Sequence, residues 1–203
     1  MRLPALFILF WTVFAAGSSA RAEYKPDLGA IIAKTLPGYR LVADRDYVDA
    51  LKKEDRGRSW AREDFDGDGK KDWAVLVISR KARQVRAYFL IATDDGYRPD
   101  LLFKRRWKKG AKGGVVRTPM FLKRRGDPGL SDRTYNSLTN DAEDPKAAKA
   151  HARTAAAYKS VPAVELWTGQ NGDERDQDAA DMSWCSETWY YDKGKLKSFG
   201  ACD

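Results

Sequence analysis

The chain has 203 residues, with 37 Lys and Arg against 29 Asp and Glu, and a formal net charge of +8. Hydrophobic residues make up 43% and charged residues 33%, a mix too apolar for a disordered chain and too charged for a multi-span membrane protein. A single histidine, His151, excludes a His-based metal cluster within one chain, and any Ser-His or Cys-His chemistry would have to use it.

The N-terminus carries Arg2, then the uncharged run Leu3 to Ala16, then Gly-Ser-Ser-Ala-Arg-Ala. A membrane-spanning helix needs about 20 apolar residues, and this run is too short. A charged start, a short apolar stretch and the small-x-small end Ala20-Arg21-Ala22 read as a secretory signal peptide over 1–22, cleaved before Glu23. No Cys follows the cleavage site, which argues against a lipid anchor, and cleavage leaves no membrane span. Removing Arg2 and Arg21 leaves a charge of +6 on residues 23–203.

Asp27 to Leu36 reads as a short helix with an Asp cap, Leu28, Ile31, Ile32 and Leu36 on one side, and Pro37-Gly38 as its stop. Tyr39 to Ala43 reads as a short strand and Asp46 to Glu54 as a weaker helix.

The most specific motif follows: Asp64-Phe-Asp66-Gly-Asp68-Gly-Lys70-Lys-Asp72. Carboxylates at alternate positions, with Gly between, let the backbone curl so that several side chains converge on one hard cation. Ca²⁺ takes 6–8 oxygens, and a carbonyl from the seventh loop position commonly adds one. Here that is the carbonyl of Lys70, with Asp72 at position nine. Val75 occupies position twelve, where an EF-hand has its bidentate Glu, so the loop is not an EF-hand.

The loop runs straight into the apolar strand Asp72-Trp-Ala-Val-Leu-Val. In this it resembles the calcium repeat of FG-GAP/VCBS proteins, the integrin-type propeller blades. The likeness covers about one repeat, Trp60 to Ala92, in what resembles a small exported bacterial protein. It implies Asp64, Asp66, Asp68 and Asp72 as ligands of a structural Ca²⁺.

Trp73 to Ile78 is a continuous apolar run, as expected of a strand covered on both faces. Val85 to Ala92 reads as its antiparallel neighbour, and Thr93-Asp-Asp-Gly96 turns the chain into a strand over Tyr97 to Trp107. Alternation there puts Tyr97, Leu101, Phe103 and Trp107 on one face and Arg98, Lys104 and Arg106 on the other.

Lys104 to Arg125 holds ten Lys and Arg and no acid, so the positive excess of the chain lies in this segment. Lys104, Arg105, Arg106, Trp107, Lys108 and Lys109 form a candidate surface for an anionic polymer, with Trp107 able to stack on a ring. Envelope glycan or lipid head groups are favoured over nucleic acid. Protection of a sheet edge by charge is the competing use of the same residues.

Val115 to Leu122 reads as a strand that Pro119 confines to an edge or a bulge. Leu130 to Asp144 reads as a loop and Pro145 to Lys159, rich in Ala and containing His151, as a peripheral helix. Val161 to Trp167 reads as a strand, with Glu165 able to face either way, and Gln170 to Asp181 as an acidic loop.

The chain closes on a hairpin over 184–203. Trp184 to Tyr191 and Lys195 to Cys202 flank the turn signal Asp192-Lys-Gly-Lys195. A two-residue Lys193-Gly194 loop pairs Asp192 with Lys195 and, counting outward, Cys185 with Cys202. Two cysteines so placed in an exported chain predict a disulfide.

These elements predict one α+β domain over 23–203, a mostly antiparallel sheet of hairpin-connected strands with short helices packed on one side. The expected function is that of a non-catalytic periplasmic or secreted protein. Its fold would be stabilised by calcium and a disulfide, and its role would be in binding or the envelope, toward an anionic polymer or a protein partner. The alternatives are a polyanion-binding module built on 104–125 and a carboxylate-based hydrolase of envelope polymer.

Overall fold

The computed structural model describes residues 27–52, 57–110, 114–125, 160–169 and 184–202, with three isolated positions at 146, 149 and 156. The expected signal peptide 1–22, the expected loops 130–144 and 170–181, and most of the expected helix Pro145 to Lys159 with His151 lie outside the described residues. Among the described residues no helix is long and apolar enough to cross a membrane.

The chain opens on helix α1 (Leu28–Thr35), whose first turn is capped by Asp27 accepting from the Ala30 N–H at 3.0 Å. Leu28, Ile32 and Leu36, four residues apart, form its buried stripe. Strand β1 (Arg40–Leu41), a 3₁₀ turn (Asp44–Asp46) and the single-turn α2 (Asp49–Lys52) follow. Strands β2 (Trp60–Glu63), β3 (Asp72–Ser79), β4 (Gln84–Thr93) and β5 (Gly96–Arg106) complete the first sheet, in the order β1-β3-β4-β5. Strand β2 also pairs with β3, beside β1 along the same edge. A second sheet is the meander β6 (Met120–Lys123), β7 (Ala163–Gly169), β8 (Trp184–Asp192) and β9 (Lys195–Cys202). All the strand pairs are antiparallel.

Every residue of β3 is buried. On one face Trp73, Val75 and Val77, with Tyr88 and Leu90 of β4, meet the α1 stripe. On the other, Ala74, Leu76 and Ile78, with Ala87, Phe89 and Ile91, meet Met120, Val164, Leu166 and Tyr191 of the second sheet. An antiparallel strand normally alternates apolar and polar residues; this one is continuously apolar because a helix covers one side and a sheet the other.

The expected single sheet is therefore two sheets, and among the described residues α1 is the helix element longer than one turn. Of Asp46 to Glu54, predicted as a helix, the described residues 46–52 form the end of the 3₁₀ turn and the one turn of α2. The reason is tertiary: the Asp46 carbonyl accepts the amides of Val115 and Val116 at 2.7 and 2.8 Å instead of an amide one helical turn ahead. Tyr47 then bridges Val116 in parallel. Pro119 precedes β6, an edge strand of the second sheet, in line with its missing donor.

Candidate metal centre and the basic edge

Glu63 pairs with Asp72, so residues 64–71 close a hairpin between β2 and β3. Gly67 and Gly69 take φ of 83° and 89°, left-handed values that glycine adopts without steric cost. Phe65 turns inward and stacks on Phe89 at 4.5 Å between centroids, anchoring the loop to the core.

The carboxylates divide into two groups. Asp72 is 0% exposed. It accepts from the N–H groups of Phe65 at 2.9 Å and Ala92 at 2.8 Å, with a longer contact from Asp66 at 3.4 Å. Burial pushes its carboxyl up, against the pull of the Ala92 and Phe65 amides, and the nearby Asp66 charge pushes the same way. Asp64 accepts from Gly67 N–H at 2.8 Å and Gly69 N–H at 3.1 Å, and Asp66 from Asp68 N–H at 3.2 Å. Asp64, Asp66 and Asp72 each present an oxygen within 4.8 Å of the others. That spacing suits a hard cation with oxygen ligands.

Asp68 is not in this triad. Its carboxylate caps the Lys70 N–H at 2.7 Å. Lys70, expected through its carbonyl, also sends its ammonium out to Asp94 at 2.7 Å, while Lys71 pairs with Glu63 at 3.2 Å. Asp94 is a participant the sequence reading missed; the Asp-Asp pair in the β4–β5 turn was its signal.

Strand β5 carries a β-bulge just before the basic segment begins. Ala87 pairs with Phe103 but Tyr88 with Leu101, leaving Leu102 as the extra residue. The alternation predicted for this strand therefore fails in its middle: Leu102 is buried and Leu101 is 45% exposed. Tyr97 packs on the α1 side, whereas Phe103 and Trp107 pack on the core between the sheets. Trp107 is thus a core contact rather than an exposed stacking platform. Lys104 lies opposite Arg86 and Arg106 opposite Gln84 on the α1 face, while Arg105 lies opposite Val85 on the other. Lys108 and Lys109 are exposed beyond the strand end. Strand β5 is the edge of its sheet.

Two other predicted features are placed. Glu165 is buried in β7, opposite Thr188 and Phe121. The closing hairpin has the predicted register, with Asp192 opposite Lys195 and Cys185 opposite Cys202. Lys193 and Gly194 both have positive φ, 52° and 72°, the backbone of a type I′ turn.

Sequence reasoning missed Asp46. It is 0% exposed and takes a bidentate pair from Arg40 at 2.7 and 2.8 Å, a bond from Arg80 at 3.0 Å and the Ala43 N–H at 2.9 Å. Burial opposes its ionisation, but the Arg40, Ala43 and Arg80 hydrogen bonds outweigh it and bring the carboxyl down to about 2.

Comparison with family models, with curated proteins and with solved structures finds no match to this chain.

Proposed function

We propose that this chain is a non-catalytic exported protein, periplasmic or secreted, whose fold is stabilised by Ca²⁺ at Asp64, Asp66 and Asp72, in a binding or envelope-related role. The observation that carries the calcium reading is the convergence of three carboxylate oxygens within 4.8 Å at the entry to the wholly buried strand β3. Anions so close repel one another, and a divalent cation removes that repulsion at the point where the loop joins the core. Export is read from residues 1–22 and from the cysteine pair.

Asp68 enters the coordination shell only by giving up its bond to the Lys70 N–H. With Lys70 and Lys71 lowering the local negative charge, affinity falls on the order of 10⁻⁴ to 10⁻³ M, as in extracellular modules. At ten times the dissociation constant, bound calcium stabilises the fold by about 1.4 kcal/mol.

The test is thermal melting with millimolar Ca²⁺ against chelator. Wild type gains melting temperature with calcium, and Asp66→Asn does not. Asp68→Asn reports whether the fourth carboxylate joins. No gain in wild type, or an equal gain in Asp66→Asn, leaves the loop as a turn held by its own side-chain-to-amide bonds.

A further inference from the structure

We propose that Arg86, Lys104 and Arg106 form a binding site for a phosphate-class oxyanion on the α1 face of the β4–β5 edge. Arg86 lies in the apolar strand Val85 to Ala92, where a cation is out of place unless something holds it. Its guanidinium sits 5.0 Å over the Tyr39 ring. Its Nε and Nη2 donate to the Gln84 side-chain oxygen Oε1 at 2.9 and 2.6 Å, and its Nη1 donates to the Tyr88 hydroxyl at 2.7 Å. The Tyr39 hydroxyl donates to the same Gln84 oxygen at 2.9 Å.

Each of these partners is neutral. They fix the orientation of the guanidinium and leave its charge in place. Three of its five N–H donors are used, so two remain for a ligand. Three other arginines meet carboxylates instead: Arg40 and Arg80 pair with Asp46, and Arg98 with Asp100.

Directly across the ladder from Arg86 stands Lys104, and two residues on stands Arg106 opposite Gln84. Both are exposed, and among the described residues neither makes an ion pair. Like charges directly opposite on adjacent strands destabilise a sheet. A tetrahedral oxyanion removes that cost, takes the two remaining guanidinium donors in a planar fork and adds a point charge from Lys104.

The proposal rests on the binding role stated above, not on calcium. Arg86 pairs with Val77 near the end of β3, whereas the Asp loop joins its first residue, Asp72. A failed calcium experiment therefore leaves this one standing, and the reverse holds too.

The test uses the mature protein at low ionic strength with pyrophosphate as the probe. Pyrophosphate raises the melting temperature and shifts the Arg86 side-chain N–H resonance. Its affinity falls at least tenfold in Lys104→Ala/Arg106→Ala, and in Arg86→Lys, which keeps the charge and loses the fork. It changes less than twofold in Lys193→Asn/Lys195→Ala, which removes the same charge from the closing turn. Cosedimentation with phosphatidylglycerol vesicles but not phosphatidylcholine vesicles, lost in the edge variant, assigns a lipid headgroup as the source. Pyrophosphate binding without vesicle binding assigns a soluble phosphate-bearing ligand. Absence of pyrophosphate binding, or equal loss in the edge and turn variants, overturns the proposal and leaves Lys104 and Arg106 as edge protection.

Discussion

Tyr191 of β8 donates its hydroxyl to Asp100 of β5, tying the second sheet to the edge of the first. Asp100 is held in turn by Arg98 through two bonds of 3.2 and 3.0 Å. The Tyr191 ring packs against Phe89 at 5.7 Å, so the same side chain contributes to the core and to the polar link.

Tyr191→Phe keeps the ring and removes the donor. It costs about 1–2 kcal/mol, the range for losing a buried hydrogen bond whose acceptor keeps another partner. Burial, then the bond to Asp100, pushes the phenol well above its ordinary range. A group whose folded pKa is raised contributes stability that is complete below its unfolded value, about 10, and is lost as pH rises beyond it. Urea unfolding as a function of pH checks both points. Wild type exceeds the variant at neutral pH, and the gap closes under alkaline conditions. A gap that stays constant through pH 11 refutes the ionisation argument.

Asp46 makes the opposite prediction at acid pH. Its folded pKa, about 2, lies below the unfolded value, near 3.9. Its contribution is therefore complete above about pH 4 and is lost as pH falls toward 2. The difference corresponds to about 2–3 kcal/mol. Between pH 4 and 2 wild type loses about that much more stability than Asp46→Asn, which starts lower because it leaves Arg40 and Arg80 without their anion. Parallel pH profiles for the two proteins contradict this account.

Much of the strand framework is legible in local pattern. The apolar run Trp73 to Ile78 marks the central strand because being covered on both faces removes the need for alternation. The turn Asp192-Lys-Gly-Lys195 sets the closing register because its two positive-φ residues admit a two-residue loop. What escapes local pattern is set by contacts distant in sequence. The bulge at Leu102 reflects which of two adjacent leucines fits the core, and no spacing rule within β5 reveals it. Asp46 reads as a helix residue until Arg40, Arg80 and the amides of Val115 and Val116 are seen around it. In the candidate site, the Asp-Gly alternation identifies the loop, but which carboxylates converge depends on the N–H groups each one caps. Asp68 turns to Lys70, and Asp72 is fixed by Ala92 on the next strand.

Gly114 is required by close approach. A Cβ there would lie 1.7 Å from the carbonyl oxygen of Tyr47. That neighbour is backbone, part of the strap in which Val48 N–H bonds Val116 O at 3.1 Å and Val116 N–H bonds Asp46 O at 2.8 Å. It cannot yield without breaking the strap. Gly114→Ala therefore destabilises by about 2 kcal/mol or more. Gly110→Ala serves as a contrast: it has φ of 93° and no atom within 4 Å of its added Cβ, so only backbone strain acts. A urea midpoint for Gly114→Ala equal to wild type refutes the close approach.

Cys185 and Cys202 close the second sheet. They stand directly opposite in the β8–β9 ladder, and neighbouring antiparallel strands bring such pairs close enough for a bridge. We propose that they are joined by a disulfide in an oxidising compartment. The closed loop spans the hairpin, and a loop of about 15 residues stabilises by about 3 kcal/mol through the entropy it removes from the unfolded chain. Part of that gain is already supplied by the tight Lys193-Gly194 turn, which restricts the unfolded hairpin locally, so about 3 is an upper figure. The experiment compares intact mass before and after thiol alkylation without reductant, then urea unfolding of wild type with and without reductant and of Cys185→Ser/Cys202→Ser. No alkylation before reduction, and a similar loss of stability in reduced wild type and the double variant, is the expected result. Two alkylated thiols in protein from the native compartment refute the bridge.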